Sequence, residues 1–150
     1  MANLLIRQNE SIFAARINAL TPQSQRQWGA LDSVKMMRHL RCIVDMSLEK
    51  IVETDRSNFF SSTIFCFLVF RVIPWPKGKI KAPDTFCPTP EGDFETERKK
   101  LLEAISEFIA TAEREPNRKT LHPIFGRQTL RYWSLMHGKH LEHHFRQFGV

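Results

Sequence analysis

The amino-acid sequence predicts an all-α fold, most simply a four-helix bundle in which a single domain spans residues 1–150. Three observations predict it. Four segments repeat apolar residues at the spacing of three and four that is typical of amphipathic helices. No run alternates apolar and polar residues cleanly, as a half-buried strand would. The length of 150 residues suits one compact core.

The first two helices are predicted at residues 9–20 and 33–54. Proline cannot continue a helix, so the first segment ends before Pro22. The second begins after Asp32 or Ser33, because either side chain can accept a hydrogen bond from the free N–H groups of the first turn. The buried face of the second helix carries Met36, His39, Leu40, Ile43, Ser47 and Ile51.

The third and fourth helices are predicted at residues 93–113 and 129–148. Asp93 is the expected N-cap of the third, and its acidic first turn suits the helix dipole. The fourth begins after the break at Gly126. The buried stripe of the third helix contains Leu101, Ile105, Phe108, Ile109 and Ala112.

Residues 59–90 form an insertion between the second and third helices. Its strongly apolar first part predicts a short extra helix. Its second part, "PWPKGKIKAPDTFCPTP", contains five prolines and predicts a long extended crossover rather than regular structure. Such a connection either crosses the end of the bundle or serves as a lid or dimer contact.

The formal net charge of +6 permits weak attraction to anionic partners, but it does not predict a specific nucleic-acid site. Basic residues cluster only at residues 77–81 and 114–119. The longest apolar stretch, residues 64–70, is far shorter than the roughly 20 residues that cross a bilayer, so we expect no transmembrane segment.

The cysteines and the start of the chain predict a cytoplasmic protein. Cys42, Cys66 and Cys87 are odd in number and form no C-x-x-C pair, which argues against a disulfide framework and for a reducing compartment. The first residues, "MANLLIRQNE", lack the apolar core of a signal peptide.

Histidines crowd the fourth helix in "HGKHLEHH", residues 137–144. At roughly 100° per residue, Trp133, His137, His140 and His144 share one stripe with Gln147. His140 and His144 are four residues apart, so their rings can converge on one metal ion. Leu141 follows the first of them, which excludes the H-E-x-x-H motif of zinc proteases.

A third ligand has to come from a facing helix, and His39 lies on the apolar face of the second helix. Burying three uncompensated imidazoles is costly, whereas a divalent cation would use their lone pairs. Three histidines with an open fourth position are typical of a catalytic site, and ligand softness favours Zn²⁺, with Ni²⁺, Fe²⁺ or Mn²⁺ as alternatives. The competing interpretation is a basic, solvated helix end whose histidines suit the dipole.

Two blocks of sequence carry a resemblance to a known family. "VKMMRHL" and "KHLEHHFRQFG" resemble the DinB/YfiT-like superfamily of metalloenzymes. "QWGALDSVKMMRHL" and "HPIFGRQTLRYW" are most similar to one domain-of-unknown-function branch of it. The resemblance implies a DinB-like bundle of the up-down-down-up kind. It also implies a divalent metal held by His39, His140 and His144.

Relatives in that superfamily include DNA-damage-induced proteins and transferases and isomerases that use thiols such as bacillithiol, mycothiol or glutathione. The resemblance therefore implies a metal-dependent enzyme acting on a small molecule, with a low-molecular-weight thiol, and a homodimer. Hydrolysis by activated water is a second reaction, and the basic residues 77–81 either bind a thiol's carboxylates or form a solvated turn. The alternative is a non-catalytic metal-binding or stress-response protein. A weaker third option is membrane-surface association through residues 59–73.

Further residues are expected near the metal. His137 and His143 are the candidate catalytic residues, since either could act as a general base. Together with His122, each could also be a proton shuttle or the true ligand. Gln147, one turn beyond His144, could orient that ring. Aromatic side chains at the bundle end are core by default and cavity walls as the alternative: Trp28, Trp133 and Phe125.

Overall fold

The computed structural model of the protein describes residues 4–78 and 83–150. Within those ranges the chain forms four α-helices, one β-hairpin, two π-helical turns and one 3-10 turn. The α-helices are α1 (Arg7–Asn18), α2 (Ser33–Ser47), α3 (Phe94–Arg114) and α4 (Leu130–Phe148). The strands are β1 (Lys119–His122) and β2 (Gly126–Thr129). Between α2 and α3 lie the π-helical turns, Ser61–Phe65 and Leu68–Val72, and the 3-10 turn, Asp84–Phe86.

The prediction of an all-α fold is wrong, because β1 and β2 form an antiparallel sheet directly before α4. Lys119 pairs with Thr129 and His122 with Gly126, in the stretch between the predicted third and fourth helices where the sequence predicted no strand. The turn is closed by the His122 ring, whose Nδ1 accepts the backbone N–H groups of Ile124 and Phe125 at 3.1 and 3.2 Å. Strands of four residues are too short to show a recognisable alternation of apolar and polar residues.

Helices α1, α3 and α4 lie within two residues of their predicted bounds. Side-chain caps set the starts of α3 and α2, whereas no side chain caps the start of α1. Asp93 accepts the backbone N–H of Thr96 at 2.8 Å, which begins α3, and Asp32 accepts that of Lys35 at 2.8 Å, which begins α2.

The prediction that the second helix continues to residue 54 is wrong, since α2 ends at Ser47. The Ser47 hydroxyl donates to the Val44 carbonyl at 2.6 Å, and Glu49 takes a left-handed φ of 60°. The backbone N–H of Lys50 then returns to the Asp45 carbonyl at 2.9 Å. These contacts turn the chain out of the helix although the apolar spacing continues to Ile51.

Helix α2 lies in the middle of the molecule and packs against α3, α4 and β1. An ion pair fixes it to the start of α3. The guanidinium of Arg41, whose side chain is 9 % exposed, lies 3.2 Å from the fully buried Glu97 carboxylate. That carboxylate also accepts the backbone N–H of Glu91 at 2.6 Å. The largest buried side chains are Trp133, Phe13, Phe108 and Phe145.

The short extra helix predicted in the insertion is present at residues 59–72 and is here called the insertion helix. Its inner side places Phe70 against the Phe125 ring, with centroids 5.0 Å apart. The Lys139 ammonium of α4 donates to the Val69 and Ile73 carbonyls, each at 2.7 Å. The helix is thereby attached to α4 and the hairpin, while its outer side exposes Phe67 and other apolar side chains.

The described residues of the second part, 74–78 and 83–90, are irregular, as the prolines predict, apart from the turn Asp84–Phe86. Residues 79–82 lie outside the described ranges, so the predicted basic site at residues 77–81 falls mostly beyond them. None of the described helices combines the length and the hydropathy that crossing a membrane requires.

Candidate metal centre

Three imidazole rings meet between α2 and α4. The Nε2 atom of His140 lies 2.9 Å from Nε2 of His39 and 3.1 Å from Nε2 of His144. One ligand atom from each of the three residues lies within 4.8 Å of the other two. The spacing of four residues on α4 places two rings on successive turns, and α2 brings the third from across the bundle.

The His39 ring is held from behind by the insertion. His39 is 4 % exposed, and its Nδ1 lies 2.6 Å from the backbone carbonyl oxygen of Phe86, in the 3-10 turn. A carbonyl oxygen only accepts hydrogen bonds, so Nδ1 carries the proton. The lone pair of His39 is therefore on Nε2, which faces the other two rings.

The His144 ring is held in the same way by Gln147. The Gln147 amide nitrogen donates to the Trp28 carbonyl at 2.6 Å, which turns its Oε1 toward His144. That oxygen lies 2.8 Å from Nδ1 of His144, so Nδ1 is again the protonated nitrogen. Nε2 of His144 therefore also directs a lone pair into the cluster.

Burial keeps the three rings neutral. Desolvation, together with the neighbouring histidines, holds the pKa of His140 well below its ordinary value and lowers that of His144 to about 3. Desolvation also lowers the pKa of His39. His39 and His144 thus offer the neutral, inward lone pairs that a divalent transition metal requires, and His140 would offer a third when the proton of its ring is on Nδ1. The residues present therefore fit a three-histidine metal site.

His137 and His122 do not belong to the ligand group. Ser47 donates its hydroxyl proton to Val44, so the 2.9 Å contact between Nε2 of His137 and Ser47 Oγ makes that nitrogen the donor. Burial lowers the pKa of His137 to about 3 and that of His122 to about 4. With Nδ1 of His122 closing the hairpin turn, both rings have structural partners, although both border the cavity described below.

His143 is the remaining histidine near the cluster. Its half-buried ring lies edge-on to two indoles, 6.4 Å from Trp28 and 5.5 Å from Trp75, and 5.3 Å from the His144 ring. It also borders the cavity, so it can exchange a proton with a bound molecule.

The aromatic residues predicted at the bundle end divide between wall and core. Trp28 and Phe125 line the cavity. Trp133 is 0 % exposed and stacks on His137 with ring centroids 5.2 Å apart, so it belongs to the core.

Sequence reasoning missed the contribution of the insertion to this site. The Cys87 thiol lies 3.6 Å from Nδ1 of His39, and Trp75 and Asp84 line the same cavity. Burial raises the pKa of Cys87, so it stays a thiol near neutral pH. No spacing rule could have found these residues, because their segment has no helical or strand periodicity to place them.

A cavity of about 860 Å³ lies over the histidine cluster. Its walls come from the loop before α2, which includes Trp28 and Ala30, and from α2, the insertion, the hairpin and α4. His39, His140 and His144 lie on its surface. The cluster is thus reachable from the cavity, which leaves room for a molecule beside the proposed metal.

No curated protein and no solved structure matches the chain. A family match does exist, and it spans nearly the whole chain. Residues 4–149 match the family described as "Protein of unknown function (DUF1569)", and the protein belongs to that family.

Proposed function

We propose that this protein is a divalent-metal-dependent enzyme whose metal ligands are His39, His140 and His144. The observation that carries the proposal is the pair of outer hydrogen bonds, from His39 to Phe86 and from His144 to Gln147, which leave both Nε2 lone pairs pointing at His140. Zn²⁺ suits three neutral imidazoles best, with Ni²⁺, Fe²⁺ or Mn²⁺ as alternatives. The relationship to the DinB/YfiT superfamily is part of this proposal.

The reaction we propose is transfer to, or isomerisation with, a low-molecular-weight thiol, with hydrolysis second. When bound, a divalent cation with an open position lowers the pKa of a thiol or water molecule there. His143 accepts the released proton, and the cavity holds the electrophilic substrate. Within the described residues the ligand group contains imidazoles only, and the one carboxylate of the cavity lining, Asp84, is exposed, which disfavours a carboxylate-assisted hydrolysis.

The alternative is a non-catalytic metal-binding or stress-response protein. A structural site is closed by protein ligands. The cavity beside these three histidines favours the enzyme instead, because it leaves space for a small molecule at the cluster.

A cytoplasmic location and a homodimer complete the proposal. All three cysteines are free thiols, which suits a reducing compartment. The homodimer rests on the family resemblance alone.

The test is metal analysis of protein purified without a histidine tag. We expect stoichiometric metal in the wild type and in His143→Ala, a control on the same helix. His39→Ala, His140→Ala and His144→Ala should each lose it. Metal retained by His39→Ala at the wild-type level would show that the ligand assignment is wrong.

The reaction is tested separately on the metal-loaded wild type, with a panel of thiols and an electrophilic dye. Turnover that disappears on chelation and returns with metal supports the transferase. Metal binding without turnover with any thiol would overturn the transferase and leave the metal site intact.

A further inference from the structure

We propose that the cavity over the histidine cluster binds a molecule with an uncharged, largely apolar body and a single polar group directed at the histidines. This inference names the substrate class of the proposed site and takes the position of the reacting group from the proposed function. It concerns the second substrate, not the thiol.

The size and the lining of the cavity are the first argument. A volume of about 860 Å³ is in the range of cavities that enclose a drug-sized ligand. Its walls are mainly aliphatic and aromatic. Ile43 comes from α2, Val69 and Phe70 from the insertion helix, Phe125 from the hairpin and Met136 from α4.

The walls are also well packed. Phe70 lies edge-on to both Phe125 and Trp75, with centroids 5.0 and 5.6 Å apart. The Trp75 indole nitrogen donates to the Val69 carbonyl at 3.0 Å. Mutually packed aromatic walls favour a preformed cavity, so that a ligand gains from apolar burial without first ordering the protein.

The charges around the cavity are the second argument. In the part of the chain that the structure describes, the lining contains no lysine or arginine, and Asp84 is its one carboxylate. Two ammonium groups of the described residues lie nearby, and each already has a partner in the protein. Lys77 lies 4.7 Å from the centre of the Trp28 ring, and Lys139 donates to two backbone carbonyls of the insertion. Among the described lining residues, an anionic ligand would be desolvated without a compensating cation.

The polar side chains of the lining are the third argument. The Gln147 side chain is hydrogen-bonded to His144 and Trp28. The His122 ring accepts hydrogen bonds from its own turn, and the His137 ring is hydrogen-bonded to Ser47. Apart from the Asp84 carboxylate, the polar side chains that remain for a ligand lie at the histidine cluster, with Cys87 beside His39, and at His143. A molecule that fits this pattern places its reacting polar group at that end and its apolar body along the opposite walls.

The test uses two fluorescent probes that share one skeleton, titrated into metal-free protein. N-phenyl-1-naphthylamine is neutral, and 8-anilino-1-naphthalenesulfonate adds a sulfonate. We expect saturable binding of the neutral probe, and binding of the sulfonate weaker by about tenfold or more, because its charge is desolvated. The net charge of +6 would by itself favour the sulfonate, so tighter binding of the anion would overturn the proposal.

Variants locate the probe. Val69→Trp fills part of the cavity from the insertion helix, and Ala30→Trp fills part of it from the loop before α2. Each variant should lower the affinity for the neutral probe by about tenfold. Phe67→Ser is the matched control, since Phe67 is 55 % exposed on the outer side of the insertion helix. Loss of binding in Phe67→Ser with unchanged binding in both tryptophan variants would place the probe on the outer surface and contradict the proposal. Using two walls keeps the test valid if one variant fails to fold.

Failure here is distinguishable from failure of the proposed function, because the probe titration needs no metal. Saturable probe binding by a protein that takes up no metal would overturn the proposed metal-dependent enzyme and support the apolar cavity. Stoichiometric metal binding without saturable probe binding would overturn the apolar cavity and support the proposed metal site.

Discussion

The Nδ1 atom of His144 lies 2.8 Å from Oε1 of Gln147, and the amide nitrogen of Gln147 donates to the Trp28 carbonyl at 2.6 Å. This chain of contacts joins the last turns of α4 to the loop before α2. It decides which nitrogen of His144 carries the proton, and hence which one faces His39 and His140. The metal affinity should therefore depend on a residue that does not touch the metal.

Replacing Gln147 with leucine should lower the metal affinity by about 10- to 100-fold, the usual effect of removing a partner that orients a ligand. The shape of the side chain is roughly kept, but the acceptor for Nδ1–H is lost. A competition titration against a chromogenic chelator measures the affinity. An unchanged affinity would mean that His144 is oriented by packing alone.

Gly29→Ala should weaken the same contact from the other side. Gly29 has a left-handed φ of 82°, and an added Cβ would lie 2.2 Å from the Gln147 amide nitrogen. We expect a loss of about 1 kcal/mol in unfolding free energy from the strained backbone, and a lower metal affinity from the displaced amide.

Gly78→Ala is the control for Gly29→Ala. Gly78 also has a left-handed φ, 66°, but the nearest atom to an added Cβ would be the Trp28 Cβ, 3.9 Å away. It should lose a similar amount of stability and keep the wild-type metal affinity. Equal metal affinities in the two variants would show that the collision with Gln147 has no effect on the site.

Glu97→Ala should destabilise the protein by about 1–3 kcal/mol, because it removes the fully buried carboxylate that binds Arg41 and accepts the Glu91 N–H. The loss stays in that range because Glu91 and Asp45 remain 3.1 and 3.6 Å from the guanidinium. Urea unfolding followed by circular dichroism measures this. Glu103→Ala removes an exposed partner of Lys99, 3.9 Å away, and should change the unfolding free energy by about 0.5 kcal/mol or less. Similar losses of unfolding free energy in the two variants would mean that the buried Glu97–Arg41 pair stabilises the protein no more than the exposed Glu103–Lys99 pair does.

His122 predicts a pH dependence of stability. Burial lowers its folded-state pKa to about 4, from a model-peptide value of 6.5. The unfolded chain therefore binds a proton below about pH 6.5 that the folded protein excludes. The stabilisation is complete above that pH and is lost as the pH falls toward 4, at up to about 1.4 kcal/mol per pH unit for one proton.

The comparison is with His122→Asn, whose side-chain oxygen can accept the turn N–H groups but does not titrate. Urea unfolding of metal-free protein between about pH 7 and pH 4 should give a shallower slope in the variant, by close to one proton. His137, which His122 faces, titrates in the same direction, so the difference in slope is the relevant quantity. Identical slopes would contradict the prediction for His122.

What could be predicted from the sequence depends on neighbours within one or two helical turns. Asp32 and Asp93 begin α2 and α3 through hydrogen bonds to residues three positions away. The spacing of His140 and His144 already places both rings on one face of α4, and His39 falls among apolar residues at helical spacing. These relations follow from the geometry of a single helix, which the local sequence encodes.

Only the tertiary structure decided the rest, since the partners are distant along the chain. The Phe86 carbonyl that orients His39 comes from an irregular segment, and Trp28 reaches Gln147 from the opposite end of the sequence. The hairpin and the end of α2 at Ser47 also depend on contacts that override a weak local pattern. Packing brought these groups together, because the hydrogen bonds of buried rings must be satisfied wherever a partner lies in space, and no periodicity in the sequence records that position.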